Sequence, residues 1–232
     1  MMATFYPVIH AYDSSQVYKN TFLAKTSEAD GVFLINHGRM SEEDFFTAIE
    51  QTVLEFQDET FYVGVNFLDK HNAEALHCAA ELGCKMLWSD NAMTDEKDLD
   101  EALGFSVSQT IVRPYVEFYG GVQFKYQPKP PWDITTSIQR AIKYVEYPTL
   151  SGPGTGKEAD IEFIKQAYQA ANGVPLAIAS GISAENVELY LPYIQVFLVA
   201  SSIIDSESEN ESFDEDKLKE LVTLIHTYDL ES

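Results

Sequence analysis

The chain has 232 residues, 45% of them hydrophobic and 12% aromatic, with a formal net charge of −22. That length supports one large core, and α/β barrels of this size are commonly single domains. So strong a negative charge repels nucleic acid and anionic membranes, and both are set aside as partners. No apolar run approaches the roughly 20 residues that cross a bilayer. No basic segment precedes an apolar stretch at the N-terminus, so no signal peptide is expected and the expected location is the cytoplasm. Cys78 and Cys84 have neither metal-ligand spacing nor a disulfide framework and read as packed thiols.

Short β-rich apolar runs alternate with helical patterns along the whole chain. Residues 5–12 read as a first strand, followed by a helix with Ser14 or Ser15 as its cap. Residues 31–37 form a second strand. Ser41 with Asp44 three residues on resembles a capping arrangement, and Phe45, Ile49, Val53 and Phe56 then recur at helical spacing as a core-facing stripe. Residues 61–69 are a third strand, and a helix follows that closes at Gly83. Cys84 opens the fourth strand, after which residues 95–105 read as a short acidic helix. The fifth strand spans 116–126, ended by the prolines behind it. A sixth strand precedes a helix expected from about Lys157, with Ile161, Ile164, Ala167, Tyr168 and Ala171 on one face. The seventh strand leads to a helix capped by Ser183. The eighth strand leads to a final helix.

Eight βα units imply a parallel sheet, and their number favours a closed (β/α)8 TIM barrel over an open doubly wound sheet. The expected organisation is a single domain over residues 1–232. Residues 205–216 carry seven acids in twelve positions and read as a solvated, mobile loop within it, too poor in apolar residues to offset the entropy of ordering.

In such a barrel the site lies at the C-terminal ends of the strands. That places His10 and Asp13, Asn36 and His37, Asn66 and Asp69, then Ser89, Asp90 and Asn91, and then Lys125 on the rim. His10, Asn66, Asp90 and Lys125 are the candidate catalytic groups. Imidazole titrates near neutral pH, and a lysine in an apolar cup is either a base or an anion contact. Asp90 with Asp13 or Asp69 offers oxygen ligands for Mg2+, but no metal or cofactor is assigned. Ser180 and Gly181 end the seventh strand, and Ser201 and Ser202 the eighth. Phosphate commonly binds between these two loops. Glycine admits the anion to the backbone, and amides hold it without requiring a cationic protein. The loop of Ser151, Gly152, Gly154, Thr155 and Gly156 before Lys157 fails as a nucleotide P-loop, because Ser151 stands for its first glycine and Glu158 for its hydroxyl. It reads instead as a ligand loop or lid beside the phosphate loops.

The stretch "VGVNFLDKHNAEALHCAAELGCKMLWSD" resembles the third and fourth strands of the BtpA family (BtpA/SgcQ-like). That family shows G-V-N-x-L and then an Ala-rich helix. "LSGPGTGKEAD" resembles its T-G-x-x-T-G loop, and "VPLAIASGISAENVELYLPYIQVFLVASSI" its P-V-L-x-x-S-G-x-x-x-E-N-V segment. His10, Asn36 and Lys125 match the histidine of its first strand, the asparagine of its E-N pair and the lysine of its V-K-H. The resemblance implies a phosphate-binding barrel. Within the family it implies links to photosystem I biogenesis in one branch and to sugar operons in others. Departures are Ile35 for the glutamate of E-N, "AYDSS" for Pro-Gly, Trp88 for an arginine, Asp90 for an asparagine and Tyr126 for a histidine. Two functions stay open. One is an enzyme acting on a small phosphorylated sugar or nucleotide-like molecule, as an isomerase, lyase or phosphoribosyl-type transferase. The other is a non-catalytic barrel serving as an assembly or regulatory factor. The aromatic content permits a homo-oligomer without locating its interface.

Overall fold

The computed structural model describes residues 3–94 and 116–228. Its elements run β1 (Thr4–His10), α1 (Ser14–Thr26), β2 (Gly31–Ile35), α2 (Glu42–Phe56), β3 (Tyr62–Asn66), α3 (Asn72–Glu81), β4 (Met86–Ser89) and β5 (Glu117–Gly121). There follow α4 (Ile134–Ala141), β6 (Tyr147–Leu150), α5 (Ile161–Ala171), β7 (Ala177–Ala179), α6 (Val187–Tyr190), β8 (Val196–Val199), a 3-10 turn (Ser201–Ile203) and α7 (Glu215–His226). The strands close into a barrel in chain order, every pair parallel, with β1 against β8 through Phe5–Phe197 and Pro7–Val199. The acidic helix expected at 95–105 lies outside the described residues.

Side chains alternate across each strand, and this alternation separates two cores. Phe5 and Ile9 of β1 and Val32 and Leu34 of β2 face the helix layer. Tyr6, Val8, Phe33, Ile35, Met86, Trp88 and Tyr119 fill the barrel interior. The interior is unevenly filled. Phe33 meets Tyr6, Tyr119 and Trp88 edge to face at centroid distances of 5.7, 5.2 and 6.2 Å. Gly64 makes room for its ring, since a Cβ there would collide with Phe33. Opposite this aromatic mass, β7 contributes only Ala177 and Ala179. Free space at the upper rim therefore falls beside β7 and β8.

Several local expectations are corrected. β1 ends at His10, and the cap of α1 is Asp13, whose carboxylate accepts from the Gln16 amide, because Ser14 is already helical. β5 stops at Gly121, so Lys125 sits in the turn after the strand rather than on it. α5 starts at Ile161 with Asp160 as its cap, which leaves Lys157 in the loop. Tyr168 on that helix is exposed. Ser183 does not cap α6. The residue at that position is Asn186, whose Oδ1 accepts from the Ser183 amide. The acidic stretch is not solvated throughout, for Phe213 is buried and bridges Ile204 in antiparallel fashion.

The N-terminal end of the barrel is tied by Asp30, whose carboxylate accepts from the Phe5 amide at 2.7 Å and pairs with His226 Nε2 at 2.9 Å. That hydrogen bond raises the pKa of His226 above its ordinary 6.5, against the opposing effect of burial. A histidine with a raised folded-state pKa contributes stability that is complete below its unfolded value and lost as pH climbs through the folded one. Urea denaturation followed over a pH series should show stability falling from pH 6.5 upward, and His226→Gln should remove that slope.

Candidate functional site

The rim beside β7 and β8 encloses a cavity of about 270 Å3 lined by His10, Lys125, Thr155, Gly156, Ser180, Gly181, Ser201 and Ser202. Its floor is Val8, Trp88, Ala179 and Leu198. Period-two alternation aims His10 inward above Val8 and Tyr6. The turn after β5 carries Lys125 to the opposite wall. It is pinned there by its own amide, which donates to Ser151 Oγ at 2.8 Å.

The loops after β6 and β7 are one unit. Ser180 Oγ accepts from the Gly156 amide and donates to the Gly154 carbonyl, both at 3.1 Å. The Lys157 carbonyl passes so close to Gly152 and Gly181 that a Cβ on either would collide with it. Gly181 also has φ +76°, and Ser180, a non-glycine, has φ +96°. Side-chain-bearing residues rarely hold such angles, and the two Ser180 hydroxyl bonds help to keep this one. Asn186 secures the far side of the turn, donating to the Gly181 carbonyl at 2.8 Å. Ser202 Oγ is committed to the Ile182 carbonyl at 2.7 Å.

The backbone has donors left over. Among the described residues, the amides of Gly181, Ile182, Ser201 and Ser202 have no protein acceptor. The Trp88 indole N–H is buried without a partner as well, a state that ordinarily costs about 1–3 kcal/mol. The titratable groups among the described residues of the cavity wall are Lys125, His10 and Glu158.

The other predicted residues divide. Thr155 and Gly156 line the cavity, while Ser151 and Gly152 lie behind it as buried supports and Gly154 anchors Ser180. Asn66 and Asp90 line a neighbouring cleft of about 380 Å3. Asn66 Nδ2 donates to Asp90 Oδ1 at 3.1 Å. Burial pushes the Asp90 carboxyl up, opposed by that bond and by the charge of Lys125. Burial lowers the Lys125 ammonium, and Asp90 resists the fall. The two are thus electrostatic partners across a wall. Asp13 caps α1, and Asp69 borders a third cleft together with Asn36 and His37. Among the described residues no group of three or more His, Cys, Asp or Glu side chains could hold a metal ion.

Sequence reasoning passed over Glu211. Its carboxylate meets His10 Nδ1 and Arg39 Nη2, each at 2.5 Å. Burial alone would raise its pKa, but the bonds from His10 and Arg39 outweigh this and lower it. Nothing in an acidic low-complexity run distinguishes this acid from its neighbours. His37 packs edge-on against His10 at 4.8 Å, and burial and then the neighbouring His10 lower its pKa.

The model of the BtpA family matches residues 29–227. The chain belongs to the BtpA family. An uncharacterised protein of Methanocaldococcus jannaschii is 33% identical over 77 residues, a stretch covering 33% of this chain and 29% of that relative. Among solved structures, this BtpA-family chain resembles phosphoribosyl anthranilate isomerase from Thermus thermophilus, with 16% identity, 95% of this chain and 96% of that one covered, and a TM-score of 0.65. A second phosphoribosyl anthranilate isomerase, in complex with reduced 1-(o-carboxyphenylamino)-1-deoxyribulose 5-phosphate, shares 13% identity over 96% and 97% of the two chains at a TM-score of 0.62. The 2-keto-3-deoxy-6-phosphogluconate aldolase of Zymomonas mobilis shares 13% over 98% and 94%, at 0.65. At such identities the likeness establishes the barrel fold. No helix among the described residues is long and apolar enough to cross a membrane.

Replacing Asp90 by Asn removes the larger of the two charges, Asp90 and Tyr126, that hold the Lys125 ammonium up against burial. Titration followed through the 13Cε shifts of isotope-labelled lysine should place Lys125 lower still in Asp90→Asn, while Lys70 and Lys165 stay where they are. An unmoved Lys125 would show that the two groups do not communicate.

Proposed function

We propose that this BtpA-family barrel binds the phosphate group of a small phosphorylated molecule, a sugar phosphate or nucleotide-like compound, in the cavity beside β7 and β8. The observation that carries this reading is the set of four amides without acceptors among the described residues, at Gly181, Ile182, Ser201 and Ser202, bordering a cavity that also exposes Lys125. Amide hydrogens in a concave turn hold an anion through fixed dipoles, so a protein of net charge −22 needs little local cationic charge to do so. Lys125 supplies that charge, and its partial burial strengthens a contact with phosphate relative to one in water. Two solved barrels of the same fold carry phosphorylated compounds in their names, the 5-phosphate complex and the 6-phosphogluconate aldolase. His10, on the cavity wall, would face the rest of the ligand. Asn66 and Asp90 would act at one remove, through the charge state of Lys125.

Thermal unfolding in the presence of inorganic phosphate, ribose 5-phosphate and nucleoside monophosphates tests the proposal. A ligand at about a hundred times its Kd adds ~2.7 kcal/mol to stability, a rise of several degrees for a domain of this size. Gly181→Ala should lose the response, since its Cβ collides with the Lys157 carbonyl and its φ of +76° suits glycine. The variant should also be less stable by about 1–3 kcal/mol from backbone strain. Ser202→Ala, which keeps the amide, should retain the response. If no phosphorylated compound stabilises the unaltered protein, the proposal fails. Turnover of a stabilising ligand, lost in Lys125→Ala or His10→Ala, would separate an enzyme from a binder.

A further inference from the structure

The helix face that α1 turns inward is unusually polar. Gln16, Asn20 and Thr21 are all buried there. Thr21 satisfies itself on the Val17 carbonyl at 2.8 Å. Gln16 and Asn20, four residues apart and therefore one above the other, form a socket for the segment that follows β8. Asn20 Nδ2 donates to the Glu211 carbonyl at 3.1 Å, and Asn20 Oδ1 accepts from the Phe213 amide at 3.0 Å. Gln16 Nε2 is shared between the carbonyls of Glu211 at 3.4 Å and His10 at 3.2 Å. Phe213 is buried beside them. The backbone of Glu211 is thereby held at φ +57°, a left-handed conformation that a glutamate adopts only when its surroundings impose it.

All this apparatus has one evident product, the placement of the Glu211 carboxylate. One oxygen receives His10 Nδ1 and the other Arg39 Nη2. Arg39 is itself steadied over the Tyr12 ring at 5.4 Å. His10 Nε2 has no protein hydrogen bond among the described residues, and His10 lines the phosphate cavity.

We propose that Glu211 is the positioning residue of His10, holding the neutral ring with its proton on Nδ1 so that Nε2 offers a lone pair to the ligand in the cavity. The proposal rests on the reading of that cavity as a ligand site and adds a reaction class to it, proton transfer within the ligand. The Nε2 lone pair would take a proton from the ligand, forming the second N–H of an imidazolium. The new positive charge would lie against the Glu211 carboxylate. The same proton would then return to another atom of the ligand, so the net change is an isomerisation that needs no oxidant or further reactant. The titratable and charged groups around the pair are Arg39, His37 and Lys125, besides Glu211 itself. Arg39 keeps Glu211 ionised, and edge-on contact with His37 limits rotation of the His10 ring.

The tautomer can be read without any ligand, so this test stands or falls apart from phosphate binding. Long-range 1H–15N correlation spectra of 15N-histidine-labelled protein, recorded near pH ~8.5 where an ordinary imidazole is neutral, distinguish the two ring nitrogens. In the unaltered protein His10 should be a single species, protonated at Nδ1 and bare at Nε2. Glu211→Ala should shift the population toward the Nε2–H form by at least about twofold, as the acceptor that selects Nδ1–H is gone. Asn20→Ala should move the population the same way with the carboxylate still present, because it loosens the backbone that aims it. His226, held by Asp30 at the other end of the barrel, reports in the same spectrum on whether each variant is folded. Glu211→Ala alone decides the matter if Asn20→Ala does not fold. A His10 ring that is Nε2-protonated in the unaltered protein, or a tautomer ratio unchanged in folded Glu211→Ala, would overturn the proposal.

Discussion

A closed ring of parallel strands constrains everything above it. Side chains alternate across each strand, so half of them are forced into a shared interior, and parallel pairing brings all eight C-terminal ends to one rim. What the interior holds then decides where the rim is open. Phe33, Tyr119 and Trp88 crowd the side of β2, β4 and β5, whereas β7 brings only alanines. The cavity lies where the ring is least filled. Its floor of Val8, Trp88, Ala179 and Leu198 is the top of the barrel core.

The walls of the cavity come from loops that fix one another. Lys157 runs its carbonyl past Gly152 and Gly181, and Ser180 ties the Gly154–Gly156 stretch with a single hydroxyl. Two of the three glycines of the segment "SGPGTGK" have a local cause. Gly152 is there for close approach to the backbone of its own loop, and Gly156, with φ +68°, for a left-handed turn. Neither reflects a nucleotide loop. The strained Ser180–Gly181 pair leaves the amides of Gly181 and Ile182 without acceptors among the described residues. Asn186 and Ser202 hold the carbonyls of that same turn from the far side. Donors are left over because the acceptors nearby are already taken.

Electrostatics on the rim is organised in two arms. Lys125 stands between the cavity and Asp90, with Asn66 behind. His10 stands between the cavity and Glu211, with Arg39 behind. Each arm pairs one basic group on the cavity wall with a carboxylate away from it. A strongly acidic chain can therefore present basic side chains to a ligand while keeping their charges locally compensated.

Much of this was legible in the residues themselves. Eight βα units announced the barrel, the "ASG" and "ASS" endings marked β7 and β8 as neighbours at the rim, and His10 stood where β1 ends, whereas Lys125 proved to lie in the turn four residues past β5. Capping was legible where it depended on chain-adjacent chemistry, as at Ser41 with Asp44. It was misassigned at Asp13 and Asn186, where several polar residues stood in a row and only the φ angles chose between them. Glu211 was hidden for a different reason. Its partners are Asn20 and His10, about two hundred positions earlier in the chain, and they meet it only because β1 and β8 are hydrogen-bonded neighbours. The sequence by itself determined the repeating pattern of strands and helices, since that rests on the periodicity of apolar residues within short windows. Only the tertiary structure decided which acid out of seven reaches the histidine, because that choice is made by barrel closure and a socket on α1, and no local pattern encodes either.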